Sequence, residues 1–504
     1  MSDTRRDVIV AVDQGTSSTK AVAVDRAGTV LGRGSVAIGQ DHPLPGWVEQ
    51  SADEIATSVA VAAAEAARQA AEAHGARVAG VALSTQRESA VVWDRETGEP
   101  LGPVLGWQDR RTADAARALG AAGHGERVRA VCGLPIDPMF SALKFAWLLD
   151  AVDPDRRLSG AGRIGVGTVD AWLAQRLTGE FRVEAGNASR TALLDLGALD
   201  WSDELLDLFR IPRAALPRVA ASDQATEAVR GIDALPAGTR IHAVLGDSHA
   251  ALFGHGARTP GAVKVTLGTG SSVMGLLAGR EQAPAGLVTT VAWSLDAPSY
   301  AFEGNILSTG ATLVWLAGLL GSTPEELIAL AGAAGRGEAA HGVDLVPAFA
   351  GLGAPWWDEH AQAVLSGFDL GTSRAEVARA AVDSIALQIG DVLDAASSGG
   401  DRAGETVLVD GGPAANDVLV QRIADLTGRS VRRPGSAGLS ALGAARLGGV
   451  SAGIWGDDDF GGDTAAELFR PAADPGWADA RRRRWHSALD LARSAAPART
   501  PQHQ

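Results

Sequence analysis

At 504 residues the chain is too long for one hydrophobic core, which excludes a single-domain protein. Its 45 Lys and Arg stand against 60 Asp and Glu, a formal net charge of −15, which argues against a nucleic-acid partner or stable association with an anionic membrane. Cys132 is the only cysteine, so an internal disulfide and a multi-cysteine metal site are excluded and a reducing compartment is expected.

Val8-Ile9-Val10-Ala11-Val12 and Ala21-Val22-Ala23-Val24 read as buried strands. Between them lies Asp13-Gln14-Gly15-Thr16-Ser17-Ser18-Thr19-Lys20, a glycine turn packed with hydroxyls at a hairpin tip. Consecutive N–H groups and hydroxyls at such a tip form an anion cradle with Lys20 as a nearby cation; a plain surface hairpin has the same pattern. Val30 to Ile38 continues the strands, and the Ala-rich stretch Asp53 to His74 reads as a helix. Val78 to Ser84 is a further buried strand ending at Thr85-Gln86-Arg87-Glu88, and Ala90 to Asp94 returns from that turn. Open α/β sheets bind ligands at the carboxyl ends of their strands. Arg87 and Glu88 suit a polyol or phosphate there, and equally suit a surface ion pair.

Phe140 to Asp150 and Val169 to Leu177 read as helices. Ile241 to Leu245 is a strand ending at Gly246-Asp247, with a helix from Ser248 to Gly254. Asp247 can cap that helix or accept a proton from an attacking hydroxyl. A lobe boundary is expected between Gly254 and Pro260. Beyond it Gly261 to Thr266, Leu267-Gly268-Thr269-Gly270-Ser271-Ser272 and Val273 to Leu277 repeat the pattern of strand, hydroxyl-rich glycine turn and strand. Two such cradles suggest two related lobes closing on one nucleotide. Ala311 to Leu320 and Arg374 to Leu393 read as helices, and Thr406 to Val409 as a strand running into Asp410-Gly411-Gly412-Pro413. The two glycines allow close approach to a base or ribose, or simply open a helix. Trp356-Trp357 follows a glycine-rich loop. From Ala472 the chain is helical again, with Arg481 to Arg484 read as a solvated face. Met1 to Val12 holds only a five-residue apolar run and Ala311 to Leu320 is too short to span a bilayer, so a cytoplasmic location is expected.

Several ordered segments resemble the FGGY family of carbohydrate kinases. In the first half they are Asp13-Gln14-Gly15-Thr16, Gln86-Arg87-Glu88, Val92-Trp93-Asp94-Arg95-Glu96-Thr97-Gly98, Gly106-Trp107-Gln108-Asp109-Arg110-Arg111-Thr112 and Asn187-Ala188-Ser189-Arg190-Thr191. In the second they are Gly246-Asp247, Ala250-Ala251-Leu252-Phe253-Gly254, Gly268-Thr269-Gly270, Pro347-Ala348-Phe349, Gly351-Leu352-Gly353-Ala354-Pro355 and Asp410-Gly411-Gly412. The resemblance runs from about Val8 to Leu447.

It implies an α/β protein of two actin-like, ribonuclease-H-type domains with the active site in the cleft between them. An N-terminal domain, 1–255, would carry the acceptor site and the first phosphate turn. A C-terminal domain, 256–460, would bind the nucleotide, followed by a helical tail, 461–504. The implied cofactors are ATP and Mg²⁺, and the implied reaction is phosphorylation of a terminal hydroxyl of a small polyol. Glycerol is the leading acceptor, with a larger polyol or ketose as the alternative. In that reading Asp247 is the general base, and Arg87, Glu88, Trp107, Met139, Ser248 and Ser272 line the acceptor pocket with it. Thr16, Ser17, Ser18 and Lys20 hold phosphates, with Asp13 near Mg²⁺. Thr269, Gly310, Gly412 and Asn416 contact the nucleotide. The assembly is expected to be a homodimer or homotetramer if it is not a monomer. A non-catalytic regulator of the same fold is the reading that Asp13 and Asp247 oppose.

The chain departs from the family's glycerol-phosphorylating members at Met139, where they carry Tyr, and at Ser272, where they carry Phe. Ser248 and Val314 replace glutamines, and Lys20 replaces an arginine. These changes imply a pocket that is wider and differently polar.

Overall fold

The computed structural model describes residues 6–280, 283–333, 342–397, 403–436, 438–456, 459 and 465–494. The polar end after Ser494 and the expected 460/461 boundary lie outside the described residues.

Val8 to Val12 are completely buried, the continuous apolar pattern of a strand covered on both faces. Their strand, Asp7–Gln14, forms the expected hairpin with Ser18–Asp25 and pairs in parallel with Arg77–Thr85. The five-stranded sheet runs Ile241–Gly246, Arg77–Thr85, Asp7–Gln14, Ser18–Asp25, Val30–Ala37. The helix Ala52–His74 covers one face of it, capped by the Ser51 side chain at one end and left-handed Gly75 at the other. The alanines Ala62, Ala63, Ala66, Ala67 and Ala70 are all buried, which brings helix and sheet backbones together. A Cβ on Gly34 would lie 2.1 Å from the Ala62 carbonyl oxygen, so only glycine fits there.

The second sheet has seven strands in the order Val288–Ser294, Pro298–Ile306, Ser271–Leu276, Val263–Leu267, Thr406–Asp410, Ser430–Arg433, Glu467–Phe469. Its centre repeats the first sheet: Val263–Leu267 pairs antiparallel with its hairpin partner and parallel with Thr406–Asp410. The duplication read from the two glycine turns is therefore a duplication of topology.

The helix Leu439–Ser451, late in the sequence, packs on strands Asp7–Gln14, Arg77–Thr85 and Ile241–Gly246 of the first sheet and crosses helix Asp247–Gly254. A Cβ on Gly443 would fall 1.9 Å from the Ala250 carbonyl oxygen, so the crossing is also a glycine contact. One hydrophobic cluster joins the two sheets, combining Ile9, Ala11, Ala82 and Leu245 with Met274, Trp293, Ala301, Leu408 and Ala444.

The structure corrects the expectation for Arg481 to Arg484. Helix Pro475–Ser494 packs into the core of the second sheet through Trp485, Ala488, Leu489 and Ala492. Arg481, one turn before Trp485, shares that face. It is 4% exposed and pairs with Asp383 at 3.1 Å and with Asp344. Only Arg483 of the four is exposed. Among the described residues no single helix is long and apolar enough to cross a membrane; Gly310–Leu320 and Pro324–Ala333 reach that composition only as a pair bent by 87°.

Candidate active site

Three neighbouring parallel strands end side by side in the first sheet. Register places Asp13 and Leu245 on either side of Ser84, and Gln14 and Gly246 on either side of Thr85. Asp13 and Asp247 thus emerge from the same edge. The Ser84 hydroxyl donates to Asp13 Oδ1 at 2.8 Å. Burial, and then the charge of Asp247, push the Asp13 carboxyl up to about 6, against the opposing pull of Ser84 and Lys20.

Asp247 is the first residue of helix Asp247–Gly254, and the cap position belongs to Gly246. The capping alternative is therefore not realised. Arg87 Nε donates to Asp247 Oδ1 at 3.2 Å and the Ser248 N–H donates to the same oxygen at 2.6 Å. Oδ2 has no protein partner among the described residues.

Arg87 and Glu88 are 7% and 5% exposed, which removes the surface-pair alternative. Arg87 grips Glu303 with two hydrogen bonds of 2.9 and 2.8 Å, and its Nη1 lies 3.4 Å from His249 Nε2. Glu88, in the left-handed region at φ 62°, accepts from Arg190 Nε at 2.5 Å. Arg190 Nη1 is 2.8 Å from Glu303 and the Ser272 hydroxyl donates to Glu303 Oε1 at 2.8 Å. Burial would raise the Glu303 carboxyl, yet Arg190 and Arg87 hold it well below the usual carboxylate range. Burial and Arg87 push the His249 imidazole well below its ordinary value, so it is neutral beside the guanidinium.

Trp107 joins the first glycine turn to this cluster. Its indole donates to Thr16 Oγ1 at 3.0 Å and its N–H to Ser89 Oγ at 3.1 Å. Lys144, completely buried, braces the wall by donating to the carbonyls of Met139 at 2.7 Å and Gly106 at 3.2 Å. Burial lowers its amine to about 7 against the charges of Glu88, Asp109 and Asp137. Met139 is nearly buried, and Asn305 Nδ2 lies 3.7 Å from its sulfur. Ser248 is half-buried beside Asp247.

In the first glycine turn the Gly15 N–H closes on the Ser18 carbonyl at 3.0 Å. The Thr16 and Ser17 N–H groups have no protein acceptor among the described residues, and Lys20 is exposed opposite Asp13 in the hairpin register. In the second turn Gly268 closes on Gly270 at 2.8 Å, and Thr309 and Ala311 both donate to the Thr269 carbonyl. Gly310 is committed to the hairpin: its N–H bonds the Gly268 carbonyl at 2.9 Å and a Cβ would lie 2.7 Å from that oxygen. Asn416 caps helix Asp417–Thr427 through Oδ1, leaving its amide nitrogen. Gly411, at φ 94°, is explained by the Leu267 carbonyl 1.9 Å from where its Cβ would lie, whereas Gly412 faces open space. Of that glycine pair only the second leaves room for a ligand.

The sequence reading brought Asp13, Asp247, Arg87, Glu88 and Trp107 to one site and missed Glu303, His249, Lys144 and Asn305. Glu303 directly follows the apolar run Tyr300-Ala301-Phe302, and Lys144 lies between Leu143 and Phe145. A charge inside a buried element must be paired, and that was the available signal.

The pattern that defines the N-terminal domain of the FGGY family of carbohydrate kinases matches residues 8–254, and that of its C-terminal domain matches residues 263–452. A glycerol kinase of Bordetella parapertussis is 42% identical over 97% of this chain and 98% of its own length. The crystal structure of Plasmodium falciparum glycerol kinase with ADP superposes with a TM-score of 0.90 at 26% identity, covering 97% of this chain and 98% of that one. Xylulose kinase from Rhodospirillum rubrum superposes at 0.82 and 26% identity, covering 96% of this chain and 98% of that one.

Proposed function

The chain belongs to the FGGY family of carbohydrate kinases, and on that premise we propose that its acceptor is glycerol, phosphorylated by ATP at a terminal hydroxyl to give sn-glycerol 3-phosphate. It is an enzyme, a kinase of alcohol acceptors with the two-domain actin-like fold of its relatives. The observation that carries the proposal is the Asp247 carboxylate, held through Oδ1 by Arg87 and the Ser248 N–H and open at Oδ2.

Phosphoryl transfer asks mainly for positioning and charge neutralisation, with one carboxylate to receive the proton. Asp247 Oδ2 takes the proton of the attacking hydroxyl. Arg87 fixes the rotamer of Asp247, and the remaining acceptor hydroxyls meet Arg87 and Glu88 beside Trp107. The Thr16 and Ser17 N–H groups, the hydroxyls of Thr16 and Ser18, and Lys20 cradle phosphate oxygens. Thr269, Gly412 and the Asn416 amide nitrogen face the rest of the nucleotide. Two carboxylates of like charge, Asp13 and Asp247, at one sheet edge would suit a hard dication. Among the described residues no cluster of three or more His, Cys, Asp or Glu would hold a metal alone. Asp13 would hold Mg²⁺, which when bound neutralises charge on the phosphates.

Residues 1–255 are assigned as the acceptor half and 256–460 as the nucleotide half, with the tail from 461 contributing its helix to the core of the second. A cytoplasmic location is part of the same proposal. The test is a coupled assay of ADP release and sn-glycerol 3-phosphate formation with glycerol, ATP and Mg²⁺. Matched stoichiometric formation of both supports the reading; ADP release without the phosphorylated polyol contradicts it.

A further inference from the structure

Ser272 and Asn305 face each other directly in the antiparallel register of the second sheet, and Glu303 is two residues from Asn305 on the same strand. All three side chains therefore stand on one face of the sheet. That face looks at the acceptor wall of the first half: Glu303 reaches Arg87 and Arg190, and Asn305 reaches Met139.

The three residues differ in how their hydrogen-bonding capacity is used. Both Glu303 oxygens are taken by guanidinium groups, and the Ser272 hydroxyl donates to Glu303. The Asn305 carboxamide offers two donors and an acceptor. Among the described residues its only side-chain partner is the thioether of Met139 at 3.7 Å, a weak acceptor. It is half-buried, between Met139 and Ser272. A carboxamide can donate to and accept from one hydroxyl at once. The neighbouring guanidinium groups are all paired, Arg87 with Glu303 and Asp247 and Arg190 with Glu88 and Glu303. Among the described residues no unpaired guanidinium is left in this cluster to hold an anionic group, so the match is to a neutral alcohol.

We infer that Asn305 is a specificity-determining residue that binds one more hydroxyl than glycerol carries, so that the enzyme also phosphorylates a four-carbon polyol. This rests on the acceptor pocket proposed above. Arg87 and Glu88 hold the hydroxyls nearest the reacting carbon, and Asn305 holds the one at the far end.

The experiment measures kcat/KM for glycerol, erythritol and threitol with ATP in the full chain, in Asn305→Ala and in the near-isosteric Asn305→Asp. Thermal melts confirm that each variant is folded, and the Asp variant removes both N–H donors if the Ala variant is not. The expected result is that the wild type phosphorylates at least one of the two tetritols. The ratio of tetritol to glycerol kcat/KM should then fall on the order of 10-fold in either variant, the worth of about one hydrogen bond. Turnover of glycerol without either tetritol, or an unchanged ratio in both variants, overturns the inference and leaves the glycerol reading standing. Failure of the wild type on glycerol and tetritols alike overturns both.

Discussion

Glu303 accepts from Arg87 and Ser272 and is ion-paired with Arg190 while fully buried, so its charge is the counterweight for two guanidinium groups from the other half of the chain. Removing one partner of a buried ionic cluster strands the others, at about 3–5 kcal/mol. Glu303→Gln should lower unfolding stability by about that much, read by denaturant titration, whereas Ser272→Ala should cost only about 1 kcal/mol. Equal small losses would mean that the cluster is hydrated rather than paired. Lys144 gives a prediction in pH. Its folded-state value of about 7 lies below the ordinary 10.5, so between those values the unfolded chain binds more protons and stability rises with pH. Lys144→Met removes that contribution, and the difference between the wild-type and variant stability profiles should grow from pH 7 toward pH 10. A constant difference would show that the amine titrates normally. Asp247, Arg87 and Glu88 were legible because they sit at strand ends within recognisable motifs. Glu303 and Asn305 were not, since a strand's alternation says which residues share a face but not what lies opposite that face.

The strands that position the site were readable as elements because parallel, fully covered strands leave continuous apolar runs such as Val8 to Val12. Helix Ala52–His74 was readable from its alanines, but their purpose became clear only against Gly32 and Gly34 on the facing strand. Gly34→Ala places a methyl group against the Ala62 carbonyl and should destabilise the protein by about 1–3 kcal/mol through forced helix displacement. Thermal unfolding checks this, and an unchanged melting temperature would contradict so close a contact. Helix Leu439–Ser451 escaped the sequence reading. Gly443, Gly448 and Gly449 weaken its helical propensity, and its reason for existing is the strands and helix it crosses more than 180 residues earlier in the chain. Arg481 was misread for a related reason, because a run of four arginines does not reveal which member turns toward the core.

The two halves are joined by a shared apolar cluster, by the crossing of Leu439–Ser451 over Asp247–Gly254, and by the ionic contacts of Glu303 with Arg87 and Arg190. The proposed general base therefore belongs to the first half, while the residue that anchors its arginine belongs to the second. In the proposed mechanism, acceptor binding and the relative placement of the halves would act on the same side chains and exclude water once both substrates are bound. The family and the two-part architecture were legible from ordered motifs; this mutual dependence was not, since it lies in contacts between Arg87 and Glu303, 216 positions apart. The central claim is that Asp247 receives the proton of an alcohol attacking ATP. Its most direct test is the rate of sn-glycerol 3-phosphate formation by Asp247→Asn at saturating glycerol and ATP, measured beside nucleotide affinity. The account predicts a loss of about 10²–10⁴-fold in kcat with ATP binding retained; a rate within about a factor of two of wild type would contradict it.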